Sequence, residues 1–437
     1  MKQILSYLKK IPILFIVVFL IYNLNLREIS AGDTIPAKYI PISILTEFDL
    51  DLDEFPYLYN SPGNKEYLFI QKTEKGHWYS SYPVVPGIIA LPIYAPAILS
   101  GMKINPKHID ILAKVSASVI AVFSVIFIFM TLKFFVDEDT AFLWAVVYAF
   151  ATSTWSVSSQ GLWQHGPVEL FISMGIYFFV KDERRKGNFI LSSLSFSLAV
   201  ATRMPTAIIA ASVFIYVLMY HRKKIITFIL PALLVAIMLF SYNIYHFGNL
   251  FGGNDLLEKK MLITKGIPSI WTLNFLPGLA GLLVSPSRGI VVFSPVLIFS
   301  FLSFYHLFKD REKIFFKYIA FSALAYILLF SFYRSWWAGH TFGYRYLIDI
   351  IPILCIVGAF YSQNFISKKW LKAIFILFLV LSIFVQILGA FNYPAGWNNI
   401  PQNIDKSPER NWDFLDNQIL RCIKKGARYP LFLRKDY

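Results

Sequence analysis

Asp33 lies in the stretch "SAGDTIPAKYIPISIL", residues 30 to 45, just beyond the first long apolar run of the chain. A carboxylate at such a place can act as a general base on a hydroxyl, provided that it reaches the hydroxyl and that its pKa stays near or below ambient pH. Nearby arginines would favour its ionised form. The alternative is a turn or helix N-cap residue in "GDT".

Four arginines stand at the ends of apolar runs: Arg203 in "SLAVATRMP", Arg288 in "SPSRGIVVF", and Arg334 and Arg345 on either side of "SWWAGHTFGY". A guanidinium group keeps its charge at physiological pH and binds phosphate oxygens in pairs. The four together therefore predict a phosphate site. Each one alone has an alternative interpretation, as an arginine that extends its charge to the headgroup region and anchors its helix there.

Aromatic and imidazole side chains accompany these arginines. Trp336, Trp337, His340 and Tyr344 lie in "SFYRSWWAGHTFGYRY", residues 331 to 346, and His165 lies in "LWQHGP". Rings with polar edges can hold the apolar faces of a sugar, and His165 can supply a polar group to the same cavity. A belt of aromatic side chains at a membrane interface, with an interfacial histidine, fits the pattern equally well.

Three acids alternate with leucines in "DLDLDEF". Asp49, Asp51 and Asp53 would place their carboxylates on one side of an extended segment and could hold a divalent cation. A solvated acidic loop is the other interpretation. The two cysteines, Cys355 and Cys422, have neither disulfide nor metal spacing.

The composition predicts a polytopic membrane protein. The chain has 437 residues, 57% of them hydrophobic and only 15% charged, whereas soluble domains carry about 25% charged residues. The net charge of +15 is concentrated in short clusters between apolar runs, such as "KDERRKG", "HRKK", "KDREK" and "SKKWLK". Such clusters mark cytoplasmic links, so no nucleic-acid partner is needed to explain the charge.

The positive-inside rule then orders the chain into an all-α protein with about eleven membrane spans. These are residues 6–26, 113–132, 141–158, 165–180, 189–203, 205–220, 224–243, 288–308, 314–333, 346–363 and 370–391. The first span is predicted to be an uncleaved helix, because "REISAGD" is a poor signal-peptidase site. The proline-rich stretch 81–101 is read as helices in or dipping into the outer interface, since counting it as a span would place the basic clusters outside.

The predicted organisation is a transmembrane domain, residues 1–391, and a short extracytoplasmic extension, residues 392–437. The domain has a large first outer loop, 27–112, with interfacial helices, and a long outer loop, 244–287. Asp33, the four arginines and the aromatic stretch all fall on the outer side of a cell inner membrane. The chain lacks GxxxxGK[ST] and GxSxG motifs. Most predicted spans have no charge near the middle, which argues against an ion-coupled transporter.

The strings "SAGDTIPAKYIPISIL", "SYPVVPGIIALPIYAP", "SPSRGIVVFSPV" and "YRSWWAGHTFGYRYLIDIIP" are similar to those of bacterial members of the GT-C superfamily of membrane glycosyltransferases. That superfamily includes the dolichyl-phosphate-mannose protein mannosyltransferases and the aminoarabinose transferase of lipid A. The resemblance implies that Asp33 is the catalytic acid of the first outer loop and that the arginines stabilise a departing lipid phosphate. Many members carry an Asp-Glu pair where this chain has Asp33 and Thr34.

The resemblance thus implies an inverting glycosyltransferase that takes a sugar from a polyprenyl-phosphate donor in the lipid bilayer. Its acceptor could be a glycan, a lipid or a protein, and a divalent cation is a possible cofactor. Two other functions stay open at this point. One is a polysaccharide polymerase or ligase with a diphosphate-linked donor, and the other is a transporter of lipids or sugars without enzymatic activity.

Overall fold

The computed structural model describes residues 2–59, 69–187, 189–393 and 395–425. The described chain is mostly helical, as predicted. Its helices are α1 Lys2–Asn23, α2 Ile35–Thr46, α3 Val85–Leu99, α4 Pro106–Leu132, α5 Glu138–Phe150, α6 His165–Arg185, α7 Ile190–Thr202, α8 Ala207–Tyr220, α9 Ile225–Phe247, α10 Gly253–Lys265, α11 Leu276–Val284, α12 Ile290–Phe293, α13 Ile298–Lys309, α14 Ile314–Ser331, α15 Ile351–Tyr361, α16 Gln363–Ile366, α17 Lys369–Asn392 and α18 Gln418–Lys425. Two short strands, β1 Ile70–Lys72 and β2 Trp78–Ser80, pair antiparallel.

Each of the eleven predicted spans overlaps at least one of these helices. Four helices of the described chain are long and apolar enough to cross a membrane by length and composition: Pro106–Leu132, Arg222–Phe247, Ile314–Ser331 and Lys369–Asn392. Five further apolar helices are shorter, at 10–17 residues. The helical segments were therefore predicted well, whereas the count of eleven spans is not confirmed.

Helix α9 shows most directly that the protein lies in a membrane. Only 6% of its apolar window is buried inside the protein. Ile226, Leu230, Leu234 and Met238 are each more than half exposed along it. Soluble proteins rarely expose an apolar surface of this extent, whereas a lipid bilayer covers it without cost.

The connecting segments gather at two ends of the helix bundle. At one end, Arg184 donates to the carbonyl of Phe134, Glu183 pairs with His221, and Tyr361 donates to Asp310. These contacts bring together the basic links that the sequence places on the cytoplasmic side. The loops that carry Asp33, His165, Arg203 and Arg345 meet at the opposite end, which we call the site end.

The first loop contains helix α3 in the stretch where helices were expected, and helix α2, which the sequence did not predict; the two pack against each other and against α4. Helix α3 covers most of the predicted stretch 81–101 and carries Pro92 and Pro96 inside it. The sequence did not predict the β1–β2 hairpin in this loop. It also did not predict helices α10 and α11, which lie in the long outer loop 244–287.

Candidate functional site

The centre of the candidate site is an ion pair between Asp33 and Arg345. Nη2 of Arg345 donates to Oδ2 of Asp33, although 312 positions separate the two residues in the chain. The Asp33 side chain is 8% exposed and that of Arg345 is 14% exposed, so the pair is largely but not fully shielded from solvent. An acid of the first loop and an arginine of the loop before α15 are thus brought to one point.

His165 joins Arg345 to a second arginine. Nε2 of His165 accepts from Nε of Arg345 at 3.2 Å and from Nη1 of Arg203 at 3.0 Å. Because both guanidinium groups can only donate, Nε2 must be an unprotonated acceptor. The ring proton is then on Nδ1, which donates to Oδ1 of Asp349 at 2.7 Å. His165 is therefore neutral and oriented by Asp349.

Asp349 is the acid on which this cluster depends, and the sequence analysis missed it. Its side chain is fully buried, and its Oδ2 lies 2.8 Å from Nε of Arg203 and accepts from the hydroxyl of Tyr326. It follows Arg345 by one turn, at the start of a predicted span in "YRYLIDIIP". An acid at the boundary of an apolar run is itself a signal of function, and that signal could have found it.

Aromatic rings enclose the two arginines. The guanidinium carbon of Arg345 lies 4.7 Å from the centre of the Trp163 ring, and that of Arg203 lies 6.0 Å from Phe330 and from Tyr346. Tyr82, from the first loop, is a further aromatic side chain near Arg345. Burial and the nearby Asp33 raise the pKa of its hydroxyl, which stays protonated and able to donate. The arginines are thus desolvated on one side, a setting that strengthens their field.

The link between α5 and α6 holds the segment that carries Asp33. Trp163 donates through Nε1 to the carbonyl of Ile29 at 3.0 Å, and the amide of Ile29 donates to the carbonyl of Gln160 at 2.8 Å. The buried amine of Lys114 donates to the carbonyl of Tyr22 and to Oε1 of Gln160, at 2.8 and 2.9 Å. The exit of α1 is therefore fixed before the chain reaches Asp33.

A second anchor lies on the other side of Asp33. The Lys38 amine sits 3.1 Å from a carboxylate oxygen of Glu28 and 2.5 Å from one of Asp110. Burial opposes the charge on Lys38, but the two acids raise its pKa, so the amine stays charged. Gly32 is required next to Asp33, because a Cβ there would overlap the ring of Phe69. Asp33 consequently has a fixed position rather than a free one.

Arg288 is placed differently from Arg203 and Arg345. It is 1% exposed and donates to the carbonyls of Gly339, at 2.8 Å, and of Thr341. It also donates to the side chains of Asn398 and Asn411, at 3.3 and 3.4 Å. These hydrogen bonds from Arg288 attach residues 395–425 to the loop that ends at Arg345.

Replacing Arg288 with alanine is expected to loosen residues 395–425, since each lost hydrogen bond to a charged group costs about 1.5–3 kcal/mol. Limited trypsin digestion would show this as faster cleavage after Lys406 and Arg410. The matched control is Arg334→Ala, because Arg334 is exposed and, among the described residues, its side chain donates to the carbonyls of Ser269 and Trp271. Equal digestion of both variants would contradict the anchoring role.

The predicted aromatic and imidazole residues divide among three places. His165 is in the ion-pair cluster. Trp337 donates to Asp405 at 2.9 Å, His340 lies 3.8 Å from a carboxylate oxygen of Asp405, and Trp336 packs near Trp412. Burial, followed by Arg288, lowers the pKa of His340 below its usual value although Asp405 opposes the shift. Tyr344 is buried against Ser153 and Ser294.

The acidic stretch contains a candidate metal-binding triad that the sequence identified only in part. Asp51 and Asp53 come together with His77, which the sequence analysis did not consider, and their ligand atoms lie within 4.8 Å of one another. Asp49, the third predicted acid, is not a member of the triad.

Comparison with known proteins gives the fold but no sequence family. No protein-family model matches the chain, and no curated protein matches it by sequence. Crystal structures of the oligosaccharyltransferase of Archaeoglobus fulgidus match it with TM-scores of 0.52 for the apo form and 0.51 for a complex with Zn and sulfate. A third, tethered to an acceptor peptide with the NVT sequon, also has a TM-score of 0.51.

The sequence identities are 9%, 12% and 10%, and the alignments cover 92%, 92% and 96% of this chain. This chain spans about three fifths of the length of those proteins, with 60%, 57% and 61% covered. Likeness at this level of identity concerns the course of the helices and not the substrate. The chain therefore shares its fold, the GT-C fold, with this oligosaccharyltransferase.

Proposed function

We propose that this protein is an inverting glycosyltransferase that moves a sugar from a polyprenyl-phosphate donor to a hydroxyl of a cell-envelope acceptor. The observation that carries the proposal is the cluster of Asp33, Arg345, His165 and Arg203 at the site end. One carboxylate and two guanidinium groups, all largely shielded from solvent, are the parts that such a transfer requires. The shared GT-C fold supports a membrane glycosyltransferase, and the donor is inferred from the chemistry of the cluster.

In the proposed reaction, the carboxylate of Asp33 takes the proton of the acceptor hydroxyl. The acceptor oxygen forms a bond to the anomeric carbon while the bond from that carbon to the phosphate oxygen breaks. The phosphate leaves with the bonding electron pair, on the opposite face of the sugar. Arg345 and Arg203 stabilise the charge that grows on it, and their field is strong because aromatic rings exclude water around them.

His165 and Asp349 act as positioning residues in this scheme. Nε2 of His165 fixes one nitrogen of each arginine, which leaves other guanidinium nitrogens to face a phosphate. Arg345 neutralises Asp33 in the absence of a donor. A bound phosphate would compete for Arg345 and so release the carboxylate for the acceptor, which links base activation to donor binding.

The lipid part of the donor has a place beside the cluster. An apolar groove of about 480 Å³ runs between α11, α13 and α14 and is lined by ten residues that include Leu283, Phe301 and Ile327. Ile327 follows Tyr326, which donates to Asp349. A polyprenyl chain in this groove would keep its phosphate near the site end of α14.

The orientation follows from charge. The basic links lie at the end opposite to Asp33, and such links stay in the cytoplasm. The site end then faces the extracytoplasmic side of the plasma membrane, where envelope acceptors are available.

The test is release of free polyprenyl phosphate from a panel of polyprenyl-phosphate sugars by purified protein in detergent, with a crude envelope extract as acceptor. We expect release from one sugar and none with Asp33→Asn. Failure with every monophosphate donor, while a diphosphate-linked oligosaccharide is consumed, would instead assign the polymerase or ligase function. A folded protein that consumes neither donor would contradict an enzymatic role.

A further inference from the structure

Asp51, Asp53 and His77 form a cluster separate from the ion pairs around Asp33. Nδ1 of His77 lies 2.7 Å from Oδ2 of Asp53 and 3.4 Å from Oδ2 of Asp51. Oδ1 of Asp53 accepts from the backbone amide of Trp78 at 2.8 Å, and Oδ1 of Asp51 accepts from the backbone amide of Asp53 at 3.2 Å. Backbone hydrogen bonds thus turn both Oδ2 atoms toward the same imidazole nitrogen.

The surrounding charge is strongly negative. Five acids lie between positions 47 and 54. In the described parts of the chain, no lysine or arginine forms an ion pair with any of them, and Nδ1 of His77 lies close to both Asp51 and Asp53. Asp51 itself is only 7% exposed. A carboxylate buried to this degree needs a cationic or hydrogen-bonding partner.

A second histidine borders the cluster from another element. His246 lies at the end of α9, and its ring is 4.3 Å from that of Tyr79. Tyr79 stands two residues after His77 in the hairpin, so both side chains fall on one face of the extended segment. Strand β2 therefore contacts the end of α9 through Tyr79 and His246.

We propose that Asp51, Asp53 and His77 bind a divalent transition metal, with zinc as the best match. Mixed imidazole and carboxylate ligands suit zinc, whereas calcium and magnesium prefer oxygen ligands alone. The role of the ion is structural: it joins the segment that carries Asp51 and Asp53 to the β1–β2 hairpin, which contacts α9 through Tyr79. This inference stands independently of the proposed glycosyl transfer.

The position of the hairpin gives the ion a consequence for the site. A cavity of about 40 Å³ lies between residues 80–85, at the end of the hairpin, and residues 239–254, at the end of α9. Tyr82 lines this cavity and also lies near Asp33 and Arg345. Removing the ion would therefore loosen one wall beside the ion-pair cluster.

The experiment uses the full chain in detergent, purified with a tag that contains no histidine and stripped with EDTA. Elemental analysis after zinc addition and dialysis is expected to give one zinc per chain and a higher midpoint of thermal unfolding. Loss of a residue that only orients a metal ligand weakens metal binding by about 10- to 100-fold. His77→Ala and Asp53→Asn remove ligands, so each should weaken zinc binding by more than this. The matched control is His108→Gln, since His108 contacts Asn105 and Lys103 instead.

Cobalt substitution in the unchanged protein gives a readout that does not depend on the folding of variants. A bound Co²⁺ with imidazole and carboxylate ligands should show visible absorption bands that zinc abolishes. Zinc binding that is substoichiometric, or equal in His77→Ala and His108→Gln, would overturn the proposal, as would the absence of cobalt bands in a folded wild-type protein.

Discussion

Replacing Asp33 with asparagine is expected to reduce sugar transfer by at least about 100-fold, because a positioned general base contributes roughly 10²–10⁴ to the rate. Asparagine has nearly the same shape and can still accept from Arg345, but it cannot take a proton. The fold should be retained, since Lys114 and the Glu28–Lys38–Asp110 group hold this segment without Asp33. Release of polyprenyl phosphate and the midpoint of thermal unfolding are measured on the same preparation.

Two variants make this result specific. Asp33→Glu keeps the carboxylate but moves it by one methylene, so partial activity is expected. Asp255→Asn removes an acid whose exposed partner is Lys259 in α10, and it should leave transfer unchanged. If Asp33→Asn retains full activity, Asp33 is not the base. If it loses activity only together with its folded state, its role is structural.

The sequence predicted the features that depend on the residue types within one short segment. Long apolar runs become helices in any apolar setting, so the predicted spans fall on observed helices. Basic clusters and the acid after α1 sort to opposite ends because charge cannot remain in the hydrocarbon region. For that reason the charge pattern alone assigns Asp33, His165, Arg203 and Arg345 to one end of the protein.

The roles that the sequence did not predict depend on contacts between positions far apart in the chain. Arg288 and Arg203 look alike in the sequence, since each lies beside a proline at the boundary of an apolar run. Arg288 donates hydrogen bonds to Asn398 and Asn411, which lie more than a hundred positions away. Tyr344 has the same character as Tyr346, yet it is buried against Ser294. No spacing rule distinguishes these outcomes, because the partner of each residue is fixed only by the packing of the helices.

Asp349 leads to the second large effect. Replacing it with leucine is expected to lower the free energy of unfolding by about 3–5 kcal/mol, because Arg203 is left buried without its partner. His165 would also lose the acceptor that fixes its ring. The midpoint of thermal unfolding in detergent measures the loss. The matched control is Asp310→Leu, whose partner Lys313 is 23% exposed at the opposite end, so a smaller decrease is expected.

The double variant Arg203→Leu/Asp349→Leu separates stability from function. Removing both charges of a buried pair is often neutral or stabilising, so the double variant should recover most of the stability that Asp349→Leu loses. It should still transfer no sugar, because Arg203 is then absent from the leaving phosphate. Recovery of transfer together with stability would mean that the pair only supports the fold. In that case Arg345 alone would have to serve the phosphate.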